Sequence, residues 1–180
     1  MKLVILDRDG VINYDSAQFI KSPEEWRPIP GSLEAIALLN QAGFRVALAT
    51  NQSGISRGLF DMAALNAIHD KMHRALAQFG GRIDALFYCP HTAEENCACR
   101  KPKPGMLEEI GRRFAADLEG APSVGDSLRD LQASFAVGAQ PILVLTGKGE
   151  KTLAAGDVPD NAWICADLME AANRIIDEMA

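Results

Sequence analysis

Leu3-Val4-Ile5-Leu6 is an unbroken apolar run that ends abruptly in Asp7-Arg8-Asp9-Gly10. That junction constrains the fold more than any other stretch. A short apolar run, partly β-branched and closed by polar residues, predicts a strand buried on both faces. Such strands build parallel sheets, whose ligands bind beyond the carboxyl ends of the strands. Asp7 and Asp9 therefore stand where chemistry is expected, and Gly10 permits a sharp turn beside them. Two carboxylates so near each other repel, and both ionise readily only beside a cation. A hard divalent ion with oxygen ligands, such as Mg²⁺, answers that demand. Taken alone, D-x-D-G is equally an ordinary polar turn after a core strand. The rest of the chain has to decide.

It does so by repetition. Residues 13–30 have no clean period and carry three prolines, which predicts a long loop over the sheet edge. Ser32 is the expected N-cap of a helix with Leu33, Ile36, Ala37 and Leu39 at helical spacing, ended by Gly43. Phe44 to Ala49 predicts a second strand, running into Thr50-Asn51-Gln52-Ser53-Gly54. Asp61 to Phe79 predicts an amphipathic helix with Leu65, Ile68, Met72, Leu76 and Phe79 on its apolar stripe. Further strands are expected at 85–88, 121–124 and 141–145, and further helices at 106–116, 128–137 and 167–179. Strand alternates with helix throughout, so the fold class is α/β: a doubly wound, mainly parallel sheet.

At 180 residues the chain suits one domain spanning 1–180, enough to bury ~70% of its unfolded surface. A net charge of −6 argues against a basic face for nucleic acid, although local cations can still hold an anionic substrate. No apolar stretch approaches the ~20 residues of a membrane span, and no charged leader precedes the first strand. A cytoplasmic monomer acting on a small molecule, without membrane or nucleic-acid partners, is the expectation.

Several strands end in reactive groups. The first ends at Asp7, the second at Thr50-Asn51 and the fourth at Gly125-Asp126, while the basic run Arg100-Lys101-Pro102-Lys103 precedes a helix. A parallel sheet brings such ends to one rim. A carboxylate, a hydroxyl, a lysine and a further metal-binding carboxylate are what phosphoryl transfer requires, because that chemistry is mostly positioning and charge neutralisation. Chemistry alone admits either Lys101 or Lys103 as the phosphate lysine. Asp130 reads equally as a support for this site and as a first-turn acid on its helix.

A second constellation lies at 89–99. Cys89, His91, Cys97 and Cys99 give three thiolates and one imidazole within 11 residues, a tetrahedral zinc set with no open position and hence structural. It directly precedes Arg100-Lys101. Cys165 lies outside the loop and is expected to be a buried thiol. His69 and His73 have i, i+4 spacing but no third ligand, so a helix-surface or boundary role is expected for both.

These motifs, in this order, resemble the haloacid dehalogenase (HAD) superfamily of phosphohydrolases: Asp7-Arg8-Asp9-Gly10-Val11 is similar to its first motif, Thr50 to its second, Lys101 to its third, and Gly125-Asp126 to its fourth. The resemblance implies that Asp7 is the nucleophile and that Asp9 is the general acid and then the general base. It implies that Asp7, the Asp9 carbonyl and Asp126 bind Mg²⁺, and that Thr50, Asn51 and Lys101 hold the phosphoryl group. The zinc loop and Thr50-Asn51-Gln52-Ser53-Gly54 narrow the resemblance to the histidinol-phosphate-phosphatase-like branch, which includes phosphatases of heptose bisphosphates. That implies removal of the 7-phosphate of D-glycero-D-manno-heptose 1,7-bisphosphate, on the route to activated heptose for lipopolysaccharide or other surface glycans; histidinol phosphate is the alternative substrate. No separate cap domain fits between the motifs, so loops 13–30, 52–58 and 94–103 must shape the pocket. The implied substrate contacts are Asp15, Ser16, Ala17, Gln18, Asn51, Gln52, Ser53, Arg100 and Lys101, with Arg57 and Arg100 suited to a second phosphate. Arg57 reads equally as solvent-facing. Ser127 departs from the pattern, standing where some members carry lysine. Phospho-receiver domains also combine acids, Thr or Ser, and Lys, but their acceptor aspartate follows a later strand.

Overall fold

The computed structural model describes residues 1–180. Six strands, β1 (Leu3–Leu6), β2 (Arg45–Asn51), β3 (Ala85–Cys89), β4 (Pro122–Gly125), β5 (Gln140–Val144) and β6 (Trp163–Cys165), form one sheet in the order β3-β2-β1-β4-β5-β6. Every pairing is parallel, with Val4 opposite Val46 and Leu6 opposite Val124. The strand order reverses direction at β1, so a crevice opens beyond the carboxyl ends of β1 and its neighbours. Asp7 follows β1 at that crevice.

The helices are α1 (Ser32–Gln41), α2 (Met62–Ala77), α3 (Gly105–Phe114), α4 (Leu128–Ala136), α5 (Gly149–Ala155) and α6 (Leu168–Met179). Side chains alternate across a strand, and β1 shows the consequence. Val4 and Leu6 join the apolar layer beneath α1, α2 and α6, whereas Leu3 and Ile5 pack toward α3 and α4. The first layer holds 24 buried residues and the second 10. The α3 face is therefore the thinner one, and it is the face that carries the cysteine loop. No helix is long and apolar enough to cross a membrane.

The elements depart from the sequence expectations at several points. Ser32 is not the N-cap of α1: Gly31 takes that position at φ 87°, and Ser32 Oγ instead donates to Val11 O at 2.7 Å. Helix α2 stops at Ala77, which leaves Phe79 exposed rather than on the apolar stripe. Helix α5 and strand β6 were not anticipated, because the Gly- and Asp-rich run 147–162 hides a short helix and β6 has only three residues. Cys165 is a buried free thiol, as expected.

Candidate active site

β1 ends at Leu6, and the next residues turn back sharply: the amides of Val11, Ile12 and Asn13 all point at Arg8 O. Gly10 sits at φ 83°, and a Cβ there would collide with the Asp126 carboxylate. Only glycine allows that close approach. A Cβ at Gly147, at φ 56°, would collide with the same carboxylate and with Gly10 Cα. Asp126 thus packs against two glycine backbones, and the amide of Lys148 donates to its Oδ2 at 2.9 Å. Thr146 Oγ1 ties this loop to Gly10 O at 2.7 Å, and Thr152 Oγ1 ties α5 to Asp126 O at 2.8 Å.

The carboxylate oxygens of Asp7, Asp126 and Asp130 lie within 4.8 Å of one another. Burial and the charge of Asp130 push Asp7 up to about 7. Burial, with Asp7 and Asp130 beside it, pushes Asp126 up to about 8. A pair of acids whose ionisation is so resisted fits a hard divalent cation, which would relieve the repulsion. Asp130 is already compensated: Lys101 Nζ lies 2.6 Å from it, and Ser127 donates through both its amide and hydroxyl. Asp7 and Asp126 are the acids left for a cation. The Asp9 side chain is not part of this cluster. Its Oδ1 accepts from Arg8 and Asn13, and its Oδ2 accepts from Gln52 Nε2 at 3.2 Å. Although burial alone would raise it, Arg8 and these hydrogen bonds hold the Asp9 carboxyl below the usual range.

Lys101, not Lys103, reaches the site. Its ammonium lies 3.1 Å from Asp7 Oδ1 and donates to Ala49 O at 2.8 Å, while Lys103 turns away to Asn96 and Cys97 O. Burial alone would lower Lys101, but Asp130 and Asp7 hold it fully protonated. Asn51 bridges to the same segment, accepting from the Lys101 amide at 3.1 Å and donating to Lys101 O at 3.2 Å. Thr50 is buried, and its Oγ1 accepts from Gln52 Nε2 at 2.9 Å.

A cleft of about 280 Å³ opens over these groups. Asp15, Ser16, Ala17, Asn51, Gln52, Ser53, Arg57, Arg100 and Lys101 all line it, but Gln18 does not. The Gln18 backbone N–H donates to Ser16 Oγ at 3.1 Å, within the loop's own turn. Arg57 is exposed, yet it stays on the rim, stacked over the Phe19 ring at 5.9 Å. Four lining residues were not anticipated: Phe19, Arg129, Ser127 as a wall, and Lys148, which pairs with Asp15 at 3.3 Å. Nothing near Lys148 in the sequence signals this, because the fold alone brings it to the rim. Asp130 was legible, since Ser127 and Asp130 have capping-box spacing. Both open readings of Asp130 hold together: it caps α4 and it pairs with Lys101.

His69 corrects an expectation. It is buried rather than on the helix surface or at its boundary, and its Nε2 lies 3.0 Å from Nη1 of Arg8, itself fully buried. Burial and the neighbouring guanidinium push His69 down to about 3.

Beside the cleft, the four donors of the cysteine loop converge. Cys89 Sγ lies 3.6 Å from Cys97 Sγ and 2.9 Å from Cys99 Sγ, and His91 Nδ1 lies 3.5 and 3.4 Å from Cys89 and Cys99. Around one zinc ion with ~2.3 Å bonds to sulfur, tetrahedral donors stand about 3.5–3.8 Å apart, so the set fits with a small expansion. The Arg100 amide donates to Cys97 Sγ at 3.3 Å, and Arg100 Nη1 donates to His91 O at 3.1 Å. The loop therefore holds Arg100 directly.

Comparison with known proteins agrees with this geometry. The profile described as HAD-hydrolase-like matches residues 98–171, and that of the polynucleotide kinase 3 phosphatase matches residues 2–134. The D-glycero-beta-D-manno-heptose-1,7-bisphosphate 7-phosphatase of Bordetella bronchiseptica is 61% identical over 99% of both chains. The enzyme of that name from Pseudomonas putida is 56% identical over 98% of this chain and 100% of its own. The crystal structure of the B. bronchiseptica D,D-heptose 1,7-bisphosphate phosphatase, complexed with magnesium and phosphate, superposes with a TM-score of 0.97 at 61% identity, covering 99% of each chain. The chain therefore belongs to the HAD-like phosphohydrolases and, within them, to the family of the D-glycero-D-manno-heptose-1,7-bisphosphate 7-phosphatases.

Proposed function

We propose that the protein hydrolyses the 7-phosphate of D-glycero-D-manno-heptose 1,7-bisphosphate, with the β anomer as substrate, in the formation of activated heptose for surface glycans. The observation that carries this reading is the near-complete match to a phosphatase of that name whose crystal structure holds magnesium and phosphate. Residues 1–180 act as one catalytic unit, a monomer in the cytoplasm without nucleic-acid or membrane partners.

In this reading Asp7 attacks the phosphorus of the 7-phosphate and forms an aspartyl-phosphate. Asp9 gives its proton to the leaving sugar oxygen, then takes one from the water that cleaves the intermediate. Lys101, Thr50 and the Asn51 segment hold the phosphoryl oxygens. Asp7, the Asp9 carbonyl and Asp126 would hold Mg²⁺, which supplies charge neutralisation between carboxylate and phosphate. Cys89, His91, Cys97 and Cys99 would hold a structural zinc. Support for these roles comes from the 3.1 Å approach of Lys101 to Asp7 and from the raised pKa values of Asp7 and Asp126. Arg100 and Arg57 line the rim of the cleft, where a second phosphate can be held.

A panel of phosphate esters scored by kcat/KM tests the reading. Heptose bisphosphate should stand well above heptose monophosphate, with histidinol phosphate lowest, because its cationic groups face those arginines. Histidinol phosphate turned over best would overturn the proposal.

A further inference from the structure

Arg8 is completely buried next to the proposed nucleophile, yet it lines no part of the cleft. All three of its guanidinium nitrogens are engaged. Nε and Nη2 both donate to Asp9 Oδ1, at 3.0 and 2.8 Å, and Nη1 lies 3.0 Å from His69 Nε2. A guanidinium has donors and no acceptor. His69 Nε2 must therefore accept, which leaves the ring neutral with its proton on Nδ1. The low pKa of His69, about 3, keeps it in that form across the neutral range. Asn13 Nδ2 also donates to Asp9 Oδ1, at 2.9 Å. Three N–H groups thus converge on one carboxylate oxygen, whose lone pairs they exhaust. Oδ2 has a single donor, Gln52 Nε2 at 3.2 Å, and keeps a lone pair open.

We infer that Arg8 and His69 are positioning residues that assign proton transfer to one oxygen of Asp9: they saturate Oδ1 and leave Oδ2 to carry the proton. The inference rests on Asp9 acting as acid and base in the reaction proposed above. In the first step the bond from phosphorus to Asp7 forms and the bond from phosphorus to the sugar oxygen breaks. The incoming phosphate opposes the ionisation of Asp9, so Oδ2 takes up a proton in the bound complex and passes it to that oxygen. In the second step water attacks phosphorus, one of its protons returns to Oδ2, and the bond to Asp7 breaks. Asp9 ends as it began, with phosphate released. His69 contributes from α2 by giving the third guanidinium nitrogen an acceptor, without which Arg8 could rotate off Asp9.

The test uses single-turnover formation of the aspartyl-phosphate with two substrates. Heptose bisphosphate has an alkoxide leaving group that needs a proton, whereas p-nitrophenyl phosphate leaves as a phenolate that does not. Losing a positioned acid costs on the order of 100-fold. Arg8→Met should lose about that much with the heptose ester, less than about 10-fold with the nitrophenyl ester, and change KM little. His69→Phe should show the same split more weakly, and His69→Gln, whose amide oxygen can accept, should restore the rate. Nitrogen NMR of His69 should show the neutral Nδ1–H form. Equal losses with both esters, or His69→Phe indistinguishable from wild type, would overturn the inference. Should Arg8→Met fail to fold, the His69 pair and the NMR signature decide. Asp9→Asn is the control: an inactive Asp9→Asn beside a fully active Arg8→Met sinks this inference alone, whereas an active Asp9→Asn sinks the proposed role of Asp9 itself.

Discussion

The Lys101 ammonium lies 2.6 Å from Asp130 Oδ1, nearer than to Asp7 Oδ1 at 3.1 Å. Asp130 is thus the residue that fixes where the lysine points, and Asp7 receives what remains of its charge. Removing one partner of a buried pair typically costs about 3–5 kcal/mol, because the other is left uncompensated. Asp130→Ala should destabilise the protein at the lower end of that range, since Asp7 can still pair with Lys101, and should lower kcat by roughly tenfold or more. Urea unfolding and phosphate release measure the two effects. Wild-type stability in Asp130→Ala would show that Asp7 alone suffices for the lysine.

Asp7→Asn should abolish turnover without unfolding the chain. It also removes one charge from a crowded acidic site, so the metal-free variant should melt at or above the wild-type temperature. Circular dichroism and a phosphate-release assay check both. Measurable turnover in the folded variant would rule out covalent attack by Asp7.

Asp7 and Asp126 have folded-state values of about 7 and about 8, far above the ~4 of an unfolded carboxyl. Raised values mean that the folded protein binds these protons more tightly. Their contribution to stability is therefore full below pH ~4 and is lost as pH rises through 7 and 8. Metal-free protein should lose stability over that window, and Mg²⁺, which binds the ionised pair, should restore it. The rise in Tm on adding Mg²⁺ should be larger at pH 8 than at pH 5, and Asp126→Asn should flatten the difference. An equal rise at both pH values would mean that the ion binds elsewhere.

Purified protein should carry about one zinc per chain, because its four converging donors form a tetrahedral set. Cys97→Ala should lose the metal, lower Tm, and raise KM more than it lowers kcat, because the Arg100 amide and side chain both anchor on this loop. Metal analysis and steady-state kinetics measure this. Full zinc content in Cys97→Ala would remove that residue from the ligand set.

Arg100→Ala should discriminate between substrates. A charge-assisted contact contributes about 1.5–3 kcal/mol, so kcat/KM for heptose bisphosphate should fall roughly ten- to a hundredfold. Heptose monophosphate, with no second phosphate, should change far less. Equal losses on both would place Arg100 at the transferred phosphate instead.

How much of this was legible depends on whether local pattern or distant packing decides. The strand ends were legible, because an apolar run closed by Asp7, Thr50 or Asp126 carries its own boundary. So was the convergence of the cysteine loop, whose four donors lie within eleven consecutive residues. Lys101 could not be told from Lys103 by chemistry; the fold separates them, since the Lys101 ammonium meets Asp7 and that of Lys103 meets Asn96 and Cys97 O. Arg8 was visible between two aspartates, but its partner His69 is 61 positions away. Lys148 reaches Asp15 only because β5 and α5 bring it back over β1. Helix α5 was missed for a related reason: its seven residues are too few to show a period.

Gly147 shows how a residue without a side chain can govern a site. Its backbone and that of Gly10 both close on the Asp126 carboxylate, so a side chain at either position would displace it. In a saturation map of tolerated substitutions, position 147 should be as intolerant as the aspartates themselves. A reader of such a map, seeing only which changes are lethal, would count a catalytic group where the molecule has only a wall.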